Sequence, residues 1–286
     1  MNSLASTVPV RPHSMHEKDF KRFSEFVHGE CGIKLTPGKK TMVQARLQKR
    51  LRTLGLKDYG AYIEYLFSPQ GKDKEVHELI DAVTTNTTEF FREPKHFDFL
   101  VKQVLPEWVS RCGPRTMSVW SAGCSSGEEP YTLAMVLSDF AGLKNRFRFK
   151  ILATDISGQV LQKAVKGIYP AYRAQAIPLS FKKKYLLRSR ERGNDLVRMA
   201  PDIRRLVRFR RLNFMENFRF REKLNVIFCR NVIIYFDRPT QELLLNRLCD
   251  HLSQDGYLFI GHSESLAGMT LPLKQVAPTI YCKRGN

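Results

Sequence analysis

The chain has 286 residues, 43% of them hydrophobic, enough to bury a sizeable core in one or two domains. Its formal net charge of +19 implies an acidic partner, without choosing among nucleic acid, an anionic membrane and an acidic protein surface. No apolar run approaches the ~20 residues of a membrane span, the start lacks the apolar core of a signal peptide, and the six cysteines show no CxxC pair and no metal-like spacing with histidine, so a cytoplasmic protein with reduced thiols and no metal is expected.

Residues 1–15 are polar, broken by Pro9 and Pro12, and read as a flexible tail. Residues 16–86 read as a small helical domain. Its first helix carries an apolar stripe of Phe20, Phe23, Phe26 and Val27. The second takes Thr36 as N-cap and Pro37 at the first helical position, buries Val43, Leu47, Leu51 and Leu54, and stops near Gly55. Arg46, Lys49 and Arg50 share another face. Residues 39–57 hold seven Lys/Arg and no acid, so this face is either an ordinary solvated surface or a docking surface for an acidic substrate. Two more helices are expected, one from near Asp58 with Tyr62, Tyr65 and Leu66 inward, one from about Asp73 with Val76, Leu79, Ile80 and Val83 inward.

TTNTTEFFREP follows, residues 84–94. It is either an interdomain turn plugged by Phe90 and Phe91, or a ligand-contacting segment in which Asn86, Thr88 and Arg92 offer donors. Pro94 opens a helix whose inner face includes Phe97, Leu100 and Val104.

From residue 116 strand and helix alternate, the signature of a doubly wound, Rossmann-like α/β sheet. It occupies residues 87–286, with a small β-rich inserted subdomain at about 170–212. TMSVWSAGCSSGEEPYTLAMVL (116–137) reads as a buried strand, a small-residue loop with Gly123 and Gly127, and an amphipathic helix. Ligands of such sheets bind beyond the carboxyl ends of the strands, so this loop is the first candidate cofactor site. The second strand, RFKILATDI, puts Asp155 at its carboxyl end, about 30 residues after the loop, where an acid suits two ribose hydroxyls. Ser157 is better placed to cap the next helix.

In the insertion, a helix-like FKKKYLL precedes strand-like DLVRMA and RRLVRFRRLNF, with a hairpin turn expected around Arg192-Gly193-Asn194-Asp195. Residues 181–223 hold 15 Lys/Arg against 5 Asp/Glu. LNVIFCRNVIIYF (224–236) gives a central parallel strand with Arg230 and Asn231 at its carboxyl end and Tyr235 within reach of the same crevice. A salt-bridged turn is the alternative for Arg230 and Asn231. A helix over 239–253, a turn at Asp255-Gly256, the strand YLFIGH and one edge strand through TIYCK complete the pattern.

The glycine loop is neither G-x-G-x-x-G nor G-x-x-x-x-G-K-[ST], which argues against dinucleotide and triphosphate cradles. Glu128 and Glu129 stand where a phosphate would need a bare, positive helix N-terminus, and they suit a cationic ligand better. S-adenosylmethionine offers an amino group and a sulfonium to such acids, a ribose to Asp155 and a carboxylate to Arg92. That set describes a class I S-adenosylmethionine-dependent methyltransferase. Cys124 as a nucleophile is disfavoured, because no histidine lies in the neighbouring motifs.

SAGCSSGEEPY, ATDIS, FCRNVIIYF, TTNTTEFFRE and GHSES together resemble the CheR family, the chemotaxis receptor protein-glutamate O-methyltransferases, over about residues 16–284. The resemblance implies cofactor contacts from Asn86, Thr88, Arg92, Glu129 and Asp155, with Asn213 and Phe214 flanking the adenine and Arg230 and Asn231 beyond the fourth strand. It implies glutamate methylation on chemoreceptor cytoplasmic helices by a cytoplasmic monomer that neither enters the membrane nor binds nucleic acid. Arg46, Lys49, Arg50 and the basic insertion then have a glutamate-rich partner to dock. A glutamate carboxylate is already ionised near neutral pH, so no strong base is needed. Arg92 or Tyr235 would orient it, Tyr235 more gently; His262 is a lesser candidate for proton transfer. Two other readings stay open. A nucleic-acid methyltransferase of the same fold would explain the charge, but the chain has RNVIIYF where an N/D-P-P-Y-type motif is usual. A non-catalytic S-adenosylmethionine-binding scaffold would keep the same residues.

Overall fold

The computed structural model describes residues 14–144, 147–191 and 193–283. The chain divides into two compact units between Thr84 and Thr85. Most of the expected tail lies outside the described residues, but Met15 is buried, so the first unit begins before residue 16.

The first unit holds four helices, α1 (Glu17–Cys31), α2 (Lys40–Leu54), α3 (Tyr59–Phe67) and α4 (Pro69–Val83). Phe20, Phe23 and Val27 are buried, and Phe26 sets its ring edge against Phe67 at 5.1 Å. α2 starts later than its cap signal predicts, because Pro37–Lys39 form a 3-10 turn and the Thr36 hydroxyl caps nothing. α4 starts earlier than Asp73. Ser68 Oγ accepts from the Gly71 N–H at 3.1 Å and Pro69 takes the first helical position, the stronger start signal.

The second unit contains β1 (Thr116–Ala122), β2 (Arg148–Asp155), β3 (Ile168–Pro170), β4 (Leu186–Arg188), β5 (Leu196–Met199), β6 (Val207–Arg211), β7 (Leu224–Cys229), β8 (Leu252–Ile260), β9 (Lys274–Ala277) and β10 (Ile280–Cys282). Its helices are α5 (Pro94–Phe99), α6 (Leu105–Cys112), α7 (Glu128–Leu143), α8 (Gly158–Lys166), α9 (Leu179–Tyr185), α10 (Pro201–Arg205) and α11 (Arg238–His251). A wide π turn, Leu100–Val104, joins α5 to α6. Pro106 explains it: proline has no N–H to donate to the carbonyl four residues back and its ring crowds that carbonyl.

The main sheet runs β6-β2-β1-β7-β8-β10-β9, with β6 to β8 parallel and β10 antiparallel to both its neighbours. The chain winds outward from β1 to β2 and β6, then returns to β7 on the other side of β1. The winding reverses between β1 and β7, and a crevice opens there beyond the strands' carboxyl ends. Helix-covered faces account for the continuous apolar runs: Met117, Val119, Trp120, Val226, Ile227 and Phe228 are all buried.

Several strand boundaries differ from the sequence reading. Asp255 and Gly256 lie inside β8, where Asp255 takes a φ of 56° and donates its N–H to Lys283 O at 2.7 Å; the chain pairs on through the irregularity. The expected single edge strand is a hairpin, with β10 inside and β9 outermost. In the insertion FKKKYLL divides into α9 and β4, and the sheet order is β3-β5-β4. RRLVRFRRLNF divides into the end of α10 and β6, which joins the main sheet. The expected hairpin turn includes Arg192, outside the described residues; the strands on either side, β4 and β5, pair antiparallel.

Candidate cofactor site

After Ala122 the chain turns through Gly123 (φ 85°) and Gly127 (φ 99°) into α7. A Cβ on Gly123 would stand 2.4 Å from Val232 Cγ2, and one on Gly127 2.9 Å from both Ala164 Cβ and Tyr169 Oη. Both the backbone angle and the space therefore demand glycine. Between them Ser125 donates its N–H to Asp155 Oδ2 at 2.8 Å, and Ser157 donates its own to Oδ1 at 2.9 Å. Asp155 thus ties the glycine loop to the start of α8, whose N-cap is Ser157 Oγ. A carboxylate offers roughly four acceptor positions, so two backbone donors fix it without saturating it.

The two loop glutamates are not the open acidic pair that the sequence suggests. Glu128 is 0% exposed, accepts from Ser126 Oγ and pairs with Arg173 Nη2, each at 2.7 Å; burial pushes its carboxyl up despite these partners. Glu129 faces the crevice, accepting from Ser121 Oγ at 2.7 Å and Arg230 Nη1 at 3.3 Å. Burial raises its carboxyl too, with Arg230 opposing.

Arg230, at the carboxyl end of β7, has a side chain only 1% exposed. Its Nε and Nη2 reach Glu93 Oε2 at 3.3 and 3.0 Å, and Nη2 also donates to Arg92 O. One buried guanidinium so bridges Glu129 and Glu93, lying over the rings of Phe97 and Phe228. Burial pushes the Glu93 carboxyl up, but Arg230 and the His262 N–H outweigh it and hold it below the usual range. Asn231 adopts a φ of 58°, a left-handed conformation that costs a non-glycine residue energy. The brace is Glu264: Oε2 accepts the N–H groups of Asn231 (2.9 Å) and Gly261, while Oε1 accepts those of Val232 and Ile233, both at 2.8 Å. Burial raises the Glu264 carboxyl against these four donors. Tyr235 follows, half-buried, in the short turn Ile233–Tyr235.

The segment before α5 is fastened to the same loops. Ser125 Oγ donates to Asn86 O at 2.9 Å, Arg173 Nη2 to Thr88 O at 2.8 Å, and the Phe91 N–H to Thr132 Oγ1 at 3.2 Å. Phe90 is buried edge-on against Tyr169, a core plug, while Arg92 is half-exposed and donates to Thr87 O at 3.1 Å. The two readings of this segment thus describe different residues within it. Asn213 and Phe214 follow β6 beside Asp155, whose carbonyl accepts the Leu212 N–H. Asn213 Oδ1 accepts from the Met215 N–H at 3.0 Å, and the Phe214 ring meets Trp120 edge-on. The structure therefore brings Asn86, Thr88, Arg92, Glu129, Asp155, Arg230 and Asn231 to the loops at one end of the sheet. Glu93, Arg173 and Glu264 were not singled out by sequence reasoning; Glu93 and Glu264 lie inside TTNTTEFFRE and GHSES, and a charged residue in a motif that must be buried was the available signal.

Cys124 is fully buried and its thiol is pushed well above the ordinary range, so it is not a thiolate. In the helical unit the basic face of α2 is divided. Arg50 is 15% exposed and forks onto Glu75 (2.7 and 2.9 Å), with Glu78 at 3.0 Å. Arg46 donates to Val83 O and Thr84 O. Both are engaged in holding α4 to α2, and Lys49 is the exposed cation of the three.

A sequence model described as the CheR methyltransferase SAM binding domain matches residues 86–282, and one described as the CheR all-alpha domain matches 18–84. A chemotaxis protein methyltransferase of Borreliella burgdorferi is 42% identical over 271 residues, 93% of this chain and 94% of that protein. Those of Salmonella typhimurium and Escherichia coli are each 36% identical, over 94% of this chain and 91% of theirs.

Proposed function

We propose, from the premise that the chain belongs to the CheR methyltransferase family, that it methylates glutamate side chains on the cytoplasmic helices of chemoreceptors. The chain is an S-adenosylmethionine-dependent methyltransferase, and S-adenosylmethionine is its cofactor. Among the described residues, no helix is long and apolar enough to cross a membrane. The observation that carries the reading is the crevice at the winding reversal, where Asp155 and Glu129 offer carboxylate acceptors suited to ribose hydroxyls and an amino group and Arg92 offers a guanidinium donor suited to a carboxylate. When bound, the cofactor supplies a methyl group on a sulfonium: a carboxylate oxygen forms the new O–C bond as the C–S bond breaks and its electron pair passes to sulfur.

The chain's part is alignment. Asp155 holds the ribose hydroxyls and Arg92 the cofactor carboxylate, with Asn86 and Thr88 beside it, while Asn213 and Phe214 flank the adenine. Arg230, buried between Glu129 and Glu93, acts through them as a positioning residue, and Asn231 shapes the turn beyond it. Tyr235 orients the incoming glutamate through one hydroxyl, a contact weak enough to leave the carboxylate nucleophilic. An ionised carboxylate has no proton to lose, so a site without a strong base suffices, and in-line alignment provides most of the rate. Lys49 and the basic insertion dock the glutamate-rich substrate.

The test is transfer of a radiolabelled methyl group from S-adenosylmethionine to a chemoreceptor cytoplasmic fragment. Label released by mild base as methanol is expected, the behaviour of a glutamate methyl ester. Base-stable label, or label on RNA, would overturn the reading.

A further inference from the structure

Glu93, His96 and His262 converge although 166 residues separate the two histidines in sequence. One ligand atom from each lies within 4.8 Å of the others. His96 Nδ1 stands 3.4 Å from Glu93 Oε2, and His262 Nε2 stands 4.0 Å from the same oxygen. Tetrahedral zinc, with bonds of about 2.0–2.2 Å, keeps its ligand atoms about 3.4 Å apart. The first separation already fits, and the second closes with a small swing of His262, whose side chain is 53% exposed.

The hydrogen bonds around His96 point the same way. His96 Nε2 lies 2.8 Å from Thr279 Oγ1; with the Thr279 hydroxyl donating to Pro278 O at 2.7 Å, the matching tautomer has His96 Nε2–H as donor to the Thr279 oxygen. That leaves a lone pair on Nδ1, and this buried atom has no hydrogen-bond partner. In this tautomer a lone pair and a carboxylate oxygen face each other 3.4 Å apart in the interior, an arrangement that a shared cation relieves. A metal-binding histidine is ordinarily oriented by such a bond from its second nitrogen. Arg230 also holds Glu93 Oε2, through Nε and Nη2, and opposes a second cation. The site is therefore confined to metals with a strong preference for imidazole, which excludes magnesium and calcium.

We propose that Glu93, His96 and His262 form a binding site for an imidazole-seeking divalent metal such as zinc, open to solvent at His262. Its effect on methyl transfer would rest on the cofactor reading above, since Glu93 is the partner of Arg230; metal binding itself does not, and is measured without cofactor.

The experiment is calorimetric titration of zinc chloride into the full chain under a non-chelating reductant, in a Cys112→Ser background that removes the one cysteine not fully buried. One site with a micromolar or tighter Kd is expected, weakened at least tenfold in His262→Ala and in His96→Gln, with no binding of magnesium. Should the buried His96 variant misfold by circular dichroism, the exposed His262 variant decides alone. No binding at 100 µM zinc (roughly a −5.5 kcal/mol ceiling), or binding unchanged by His262→Ala, overturns the proposal.

Discussion

Replacing Glu264 by glutamine keeps the shape of the side chain and removes one acceptor. Four backbone N–H groups, those of Asn231, Val232, Ile233 and Gly261, converge on its two oxygens, two to each. Whichever way the glutamine amide is turned, its NH2 faces two donors. A buried donor left without an acceptor costs about 1–3 kcal/mol, so the pair costs about 2–6 kcal/mol. The lower half of that range is expected, because Glu264 is 6% exposed and burial has raised its carboxyl, a desolvation cost that a neutral amide does not carry. The protein's two tryptophans, Trp108 and Trp120, both lie in the second unit, so tryptophan fluorescence during urea unfolding reports that unit. The turn also fixes Arg230 and Asn231, and affinity for S-adenosylhomocysteine should fall about tenfold or more, roughly 1.4 kcal/mol. Unfolding within 0.5 kcal/mol of the parent, together with unchanged affinity, would refute the reasoning.

Arg50→Met strands Glu75, which is 1% exposed, and should destabilise the helical unit by about 3–5 kcal/mol as measured by far-ultraviolet circular dichroism. Lys49→Glu on the same helix should change stability by less than about 0.5 kcal/mol while raising KM for the receptor fragment; similar stability losses in both would contradict the division between a structural and a docking cation. Asp155→Ala should weaken cofactor binding at least tenfold, whereas Tyr235→Phe should lower kcat with binding retained. Equal loss of binding in the two would make the assigned roles wrong.

Period and punctuation made the second unit's architecture legible. The apolar runs 117–120 and 224–229, glycines at a strand-to-helix turn and an acid closing the second strand point to one end of one sheet. What stayed hidden depends on partners distant in sequence. Nothing local distinguishes Glu128, turned inward to Arg173, from Glu129, turned to the crevice, since the two are neighbours at a helix start. Likewise Arg50 looks like a surface cation until Glu75, on another helix, is seen to be buried. The π turn and the Asp255 irregularity escaped for another reason: each keeps the chain paired through a residue that ordinarily ends an element.

The bond between His96 and Thr279 spans 183 residues, and Glu264 grips a turn more than 30 residues before it. At about 5–20 residues per second, a ribosome takes about 10–40 s to pass from one end of the first bond to the other. Every residue of the helical unit's internal ion pairs has been made once residue 84 is reached. An interrupted synthesis therefore leaves the residues of that unit complete while the turn that carries Arg230 and Asn231 still lacks Glu264, so the brace of the crevice is acquired late.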